Sequence, residues 1–342
     1  MRASRLAEQG RRVAVMDRAL SVGGAWATAD VLGFRNVEIG VHLLENRPSL
    51  YRAIADLDGL NMQRDPCVAL LNGRMLPMSS ARILFHCGVG ANSLRRGAVD
   101  RARRSFQSAR RAACHVTDSF YYPCGGAARL VAGLAARLRA SGGQIHLGEE
   151  IHRVDIQHGG VQCHTSTGTV SASMLLASSR ALPPLWLQGS RQAPQADQTR
   201  VFNAVLHIRS PAGLKSSYVE ILGDKHLKRV RDVGRLTDPP PTPGESLLCV
   251  QYRDPKRVTR EGLGPYLTKH LVRLNLIDPR AEVLGVHTSE TRLTTVTDAA
   301  LTDLERRAAS ALQLLRTTDF ADGFVTAQRN LRGLLSPHDA VI

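Results

Sequence analysis

The spacing of apolar residues changes from helical to strand-like within the first two dozen positions. Met1–Gln9 is helical in pattern and Gly10 stops it; Arg12–Met16 (RVAVM) is then a short β-branched strand with Asp17 at its end. Asn36–Leu44 reads as loop and strand, and Pro48–Leu57 as a helix closed by Asp58-Gly59. Met62–Met78 alternates apolar and polar residues around Asn72-Gly73, the strongest hairpin signal in the chain. Residues 79–119 read as helix with a break near Gly88–Gly90. A turn at Tyr121-Tyr122-Pro123-Cys124-Gly125-Gly126 opens an amphipathic helix, Ala127–Ser141, with Leu130, Val131, Leu134 and Leu138 on one face. Gly142-Gly143 ends that helix.

Strands are expected at Gln144–Leu147, Ile151–Gln157, Val161–Thr165 and Val170–Leu176. Pro183–Thr199 is loop-like, and strands return at Val201–Ile208, Tyr218–Leu222 and Leu247–Tyr252. The four prolines of Asp238–Gly244 (DPPPTPG) mark a surface linker. Gly264–Leu274 and Thr297–Leu315 have helical pattern, and the tail after Gly333 has none. Strands interleaved with helices place the chain in the α/β class.

The opening segment matches the second half of a dinucleotide-binding unit. In a whole unit, a strand and a G-x-G-x-x-G turn lead into the helix, and an acidic residue ends the next strand. Helix, strand and acid are here, but the preceding strand and turn do not stand before Met1. That strand normally lies mid-sheet, so an open sheet edge is expected, inviting a homo- or hetero-oligomer.

Composition adds limits. The 342 residues are 43% apolar and 22% charged, in the range of globular proteins with one or two domains. Aromatics are only 4%, too few to build a generous ring cage. The formal charge of +15 suits an anionic small molecule or peripheral contact with an acidic membrane surface. Arg95–Arg111 is the densest basic run, with Arg96, Arg103 and Arg110 at heptad spacing. Only Phe106 interrupts it, so specific nucleic-acid binding is not expected. The six cysteines form no C-x-x-C pair, which argues against a zinc ribbon or a redox dithiol, and no metal is expected. Without an apolar signal region or a spanning segment, the expected location is cytoplasmic.

The candidate chemistry begins at Asp17, whose carboxylate can accept hydrogen bonds from both ribose hydroxyls of an adenosine. Gly23-Gly24 would let backbone N–H groups approach a pyrophosphate with no Cβ in the way. The stretch D-x5-GGAWAT followed by E-I-G-V-H resembles the start of the flavoproteins that include monoamine oxidases, protoporphyrinogen oxidase, phytoene desaturases and UDP-galactopyranose mutase. A longer match, YYPCGGAARLVAGLAARLRASGGQIHLGEEIHRVDI at 121–156, is similar to that family's Y-P-x-GG helix and the strand after it.

The resemblance implies FAD as cofactor, bound by Asp17, Gly23, Gly24, Ala25, Trp26, Gly40, His42 and Val154. His42 would lie beside the isoalloxazine ring, as the one candidate for acid–base work, and Val154 would meet adenine through its backbone. It further implies a discontinuous Rossmann-like FAD domain (residues 1–45, 121–182 and 290–342) with an inserted α+β substrate domain (46–120 and 183–289). Two departures stand out: the opening G-x-G-x-x-G is missing, and the closing Gly-Asp element is not recognisable, with Thr317–Gly323 a poor match where it would fall. Three functions follow as expectations. The first is an FAD-dependent oxidoreductase of the amine-oxidase or protoporphyrinogen-oxidase type, the second a cofactor-free partner subunit, and the third a mutase-like flavoenzyme for an anionic sugar nucleotide.

Overall fold

A computed structural model describes residues 2–41, 54, 57, 60–77, 119–157, 159–178, 182–192, 196–253, 258–296, 298–308, 311–315 and 340–341. In chain order these form helix α1 (Arg2–Glu8), β1 (Arg12–Asp17), a 3-10 turn at Gly24–Trp26, β2 (Thr28–Val31) and β3 (Phe34–Glu38). Next come β4 (Met62–Leu71), β5 (Arg74–Pro77), β6 (Ser119–Pro123), helix α2 (Gly126–Ala140), β7 (Gln144–Leu147) and β8 (Ile151–Gln157). β9 (Gly160–Thr165), β10 (Thr169–Ala172), β11 (Leu175–Ser178), β12 (Leu185–Leu187) and β13 (Ser190–Gln192) follow. The remainder is β14 (Ala196–Arg209), β15 (Tyr218–Leu222), β16 (Leu227–Asp232), a 3-10 turn at Gly234–Leu236 and β17 (Glu245–Tyr252). Last are α3 (Leu263–Arg273), β18 (Glu282–Val296), α4 (Asp298–Ala308), β19 (Leu312–Leu315) and β20 (Ala340–Val341).

The architecture is mixed α/β and rich in sheet. β1 sits in a parallel sheet between β7 and β20. α1 folds back on it through Gly10, whose φ of 78° is the left-handed geometry a helix end needs. Leu6 and Ala7 of α1, Val13 of β1 and Leu138 of α2 are buried together, so the two helices share one face of this sheet. The edge of β1 expected to be open is covered in part: β20 pairs with its first two residues, Arg12 opposite Ala340 and Val13 opposite Val341, while among the described residues Ala14–Asp17 have a strand partner only in β7.

The largest sheet runs β18-β14-β17-β16-β15-β4-β5, with β6 also on β4. Helix α3 covers it with Leu263, Leu267 and Leu271, spaced for one helical face and all buried. Gly264 lets the helix come this close; a Cβ there would stand 2.5 Å from Val286 Cγ2. The Asn72-Gly73 hairpin forms as expected between β4 and β5, with both turn residues at positive φ.

Several element expectations change. Pro183–Thr199 is not a plain loop, because Leu185–Leu187 pairs parallel with β8 and turns back through β13. Leu185 is buried by that pairing, a long-range effect invisible in a short loop-like stretch. The helix expected over Thr297–Leu315 ends at Ala308; Leu312–Leu315 is instead a strand, parallel to β11. A short apolar run of this kind has no periodicity of its own, and its partner decides its type. Val170–Leu176 is broken into β10 and β11, which belong to different sheets. Of the helix expected at 79–119, residues 79–118 lie outside the described residues, as do most of 48–59 and the Arg95–Arg111 run; Ser119 instead opens strand β6, which also takes in Tyr121–Pro123 of the expected turn, because β4 pairs with it.

Candidate functional site

Asp17 ends β1 opposite Leu147 at the end of β7. Its Oδ1 accepts the Ala19 N–H at 2.9 Å, and its backbone carbonyl accepts the Glu149 N–H at 3.1 Å. Gly148 N–H donates to the Ala19 carbonyl at 2.9 Å. The ends of β1 and β7 are thereby tied, and the chain leaves toward β8 beside Asp17. A carboxylate has about four acceptor positions on two oxygens, so the loop bond leaves capacity for a ribose.

Six residues later the backbone makes the glycine turn. Gly23 has φ 123° and Gly24 φ 55°, both left-handed-side values. A Cβ on Gly23 would stand 3.0 Å from Ala27 N, whereas at Gly24 the space is open. Trp26 N–H donates to Gly23 O at 2.9 Å and Ala27 N–H to Gly24 O at 3.1 Å, which closes the 3-10 turn. The bare backbone at Gly24 is the feature a phosphate-contacting turn requires. Trp26 then stacks on Tyr122, with ring centroids 6.2 Å apart and planes 14° from parallel.

Tyr122 leads into a buried charged joint. Its hydroxyl donates to Glu38 Oε2 at 2.8 Å, and the other oxygen, Oε1, accepts the Ala127 N–H at 2.7 Å. Glu38, at the end of β3, thus caps the first turn of α2, where a negative charge is favoured by the helix dipole. Arg231 of β16 donates from Nη1 to Glu38 Oε2 at 3.3 Å and from Nη2 to Asp65 Oδ2 at 3.1 Å. Asp65, on β4, also pairs with Arg235. The Glu38, Asp65 and Arg231 side chains are all essentially inaccessible to water, and two carboxylates face two guanidiniums. Such a cluster tolerates burial only because each charge is matched and hydrogen-bonded.

Gly126 is part of this joint. Its φ is 76°, and a Cβ there would lie 2.8 Å from Glu38 Oε1. The second glycine of the Tyr-Tyr-Pro-Cys-Gly-Gly segment is therefore a packing requirement of Glu38 rather than a ligand contact.

Burial pushes the Tyr122 hydroxyl well above its ordinary value, and the Glu38 carboxylate adds to that. Burial works against charge on Arg231, but Tyr122, Glu38 and Asp65 outweigh it and raise its pKa. The joint thus holds the Tyr122 hydroxyl protonated and Arg231 charged near neutral pH. Its work is to hold β3, β4, β16 and the start of α2 in one arrangement, which sets the Trp26–Tyr122 stack. Burial also raises the thiols of Cys163, to about 11, and of Cys249, so neither is a ready nucleophile. Among the described residues no group of three or more metal-ligating side chains gathers.

The expected site residues divide into groups. Asp17, Gly23, Gly24, Ala25 and Trp26 lie on one continuous stretch at the end of β1. Gly40 is buried two residues beyond Glu38, close in sequence to the joint. His42 lies outside the described residues. Val154 is fully buried in β8, in the core shared with Leu185 and Leu304, and its N–H donates to the Pro184 carbonyl at 2.9 Å. Sequence reasoning missed Glu38, Asp65 and Arg235, although Glu38 stands in the E-I-G-V-H segment and Arg231 in the basic stretch Lys228–Arg231.

No protein-family model matches the chain, and no curated protein matches it in sequence. Solved structures do match in shape. Putrescine oxidase bound to putrescine is 13% identical, with 97% of this chain and 96% of that one covered, at a TM-score of 0.64. Reduced UDP-galactopyranose mutase is 12% identical, with 98% and 94% covered, at 0.65. Cyclohexylamine oxidase from Brevibacterium oxydans is 12% identical, with 96% and 94% covered, at 0.63. At these identities the likeness is one of fold.

Proposed function

We propose that this chain, which has the fold of the amine-oxidase-like flavoproteins, binds FAD at the Asp17 end of β1 and serves as an oxidoreductase. The observation that carries the reading is the Asp17 strand end followed by the bare, positive-φ backbone of Gly23-Gly24. Asp17 would accept the ribose hydroxyls and Gly24 would let the pyrophosphate come close. Gly40 and His42 would extend the site beyond β3, and Val154 would meet adenine through its backbone.

When bound, FAD supplies the capacity to accept a hydride from a C–N or C–C bond. The protein's own contribution is positional. Trp26 stacked on Tyr122 fixes the glycine turn against α2, and the Glu38–Arg231–Asp65 joint fixes Tyr122. In this reading residues 1–45, 121–182 and 290–342 make the cofactor domain, and 46–120 with 183–289 the substrate domain. The positive charge favours an anionic substrate, which keeps a mutase-like reaction on a sugar nucleotide within the same reading.

A second reading, a cofactor-free partner subunit on the same fold, is favoured by one observation: no G-x-G-x-x-G occurs anywhere in the chain. Absorption spectra before and after incubation with FAD separate the two. Flavin bands that stay with the protein through gel filtration support the flavoenzyme, and a colourless protein supports the partner subunit.

A further inference from the structure

The strand register lays one polar row across the face of the largest sheet opposite α3. Glu220 pairs with Arg229, Arg229 with Gln251, Gln251 with Asn203, and Asn203 with Ser289. One position along each strand, Val219, Val230, Val250 and Ala204 point the other way, into the core under α3. Two positions along, Tyr218, Arg231, Cys249 and Val205 share the face of the polar row and are all buried. Arg231 there meets the Tyr122 ring on which Trp26 stacks. The polar row therefore adjoins the joint that holds the glycine turn.

Three members of the row keep a buried polar atom with no hydrogen bond among the described residues: Arg229 Nε, Asn203 Oδ1 and Ser289 Oγ. Arg229 Nε stands 3.6 Å from Glu220 Oε2, too far for a hydrogen bond, and Tyr218 donates its hydroxyl to that same oxygen. Asn203 is 6% exposed, whereas the Glu220 and Arg229 side chains keep 23% and 36% exposure. The row thus runs from solvent to a buried, unsatisfied amide. An unpaired buried group costs stability that an apolar residue of the same shape does not. The charge beside the row is positive. Burial, then Arg253 and Arg229, hold the Lys228 pKa below its ordinary 10.5, and Glu220 only partly offsets them.

We propose that this row binds an anionic, hydroxyl-bearing small molecule of the sugar-acid class. Its carboxylate accepts the Arg229 Nε–H, and a hydroxyl donates to Asn203 Oδ1 with Ser289 beside it. Arg229 and Asn203 are two strands apart, about 10 Å, so the anion and the hydroxyl sit at opposite ends of a chain or ring of several carbons. The binding site stands on the row alone; that its ligand is the substrate rests on the flavoenzyme reading above.

The test is a saturation-transfer NMR titration of the 342-residue chain, without flavin, by D-galacturonate and D-gluconate. D-galactose and spermidine are run beside them. At least one acid should saturate, with the neutral sugar and the amine at least about tenfold weaker, as expected when a charged hydrogen bond is lost. Asn203→Leu should weaken the acid at least about tenfold while leaving the melting temperature unchanged or raised, because the amide it removes is unpaired. Ser289→Ala should weaken it in the same direction, and decides if Asn203→Leu does not fold. No saturable signal with either acid, or parent-like binding in the folded variants, overturns the proposal. Acid binding by a chain that retains no FAD leaves the row in place and removes the flavin reading.

Discussion

The guanidinium carbon of Arg231 lies 3.6 Å above the centre of the Tyr122 ring. Arg231 is thereby enclosed on one face by an aromatic ring and at its edge by Glu38 and Asp65. Two segments more than a hundred residues apart are locked by one side chain, and Trp26 rests on the far end of that contact through its stack with Tyr122.

Removing this cation takes the guanidinium from buried Glu38 and leaves buried Asp65 with Arg235 alone among the described residues. Arg231→Met should lower unfolding free energy by about 3–5 kcal/mol, the usual cost of breaking a buried pair. Arg35→Met, by contrast, removes a largely exposed pair with Asp238 and should cost less than about 1 kcal/mol. Urea denaturation of the two variants beside the parent checks both. Equal, small losses would show that Arg231 is not enclosed as described.

Gly126 and Gly142 both have positive φ, but only Gly126 has a neighbour where a Cβ would sit. Gly142→Ala should cost about 1–2 kcal/mol from backbone conformation alone. Gly126→Ala should cost more, because its methyl displaces the Glu38 carboxylate from the Ala127 N–H. Thermal melts rank the pair, and a Gly126 variant as stable as the Gly142 variant would count against the Glu38 contact.

His270 on α3 stacks on His226 with centroids 4.1 Å apart and meets Tyr266 edge-on at 4.5 Å. The Tyr266 hydroxyl lies 2.6 Å from His226 Nδ1, and Arg273 pairs with Asp224. Burial, then His226 and Arg273, with a smaller push from Lys269, hold the His270 pKa below its ordinary 6.5, and Asp224 only partly offsets them. The folded state therefore resists a proton that the unfolded chain takes up. Stability is full above 6.5, is lost as pH falls through that value, and levels off below the folded pKa. His270→Gln should flatten the dependence of the denaturation midpoint between about pH 7.5 and about pH 5.5. An unchanged slope would place the titration elsewhere.

Local pattern made much of this fold legible. α1, β1, α2, β7 and the Asn72-Gly73 hairpin follow from periodicity and turn residues. Elements whose type depends on a distant partner did not follow: β12 and β19 are short, and each is a strand because β8 or β11 pairs with it. The neighbour of β1 was the largest surprise, since the pairing of Val13 with Val341 spans nearly the whole sequence. In the candidate site, Asp17 and Gly23-Gly24 were readable because an acid at a strand end and paired glycines are local signals. The Glu38–Asp65–Arg231–Arg235 joint was not. Each of its members looks like an ordinary surface charge until four separate segments bring them together.

A flavin fluorescence titration of the 342-residue chain and its Asp17→Ala variant, run side by side, decides whether the end of β1 grips FAD. Loss of charge-assisted hydrogen bonds to the ribose should weaken binding about tenfold or more, with little change in the melting temperature. Saturable quenching by the parent, shifted to higher concentration in the variant, is the predicted result. No saturable quenching, or identical curves for the two proteins, would contradict the account.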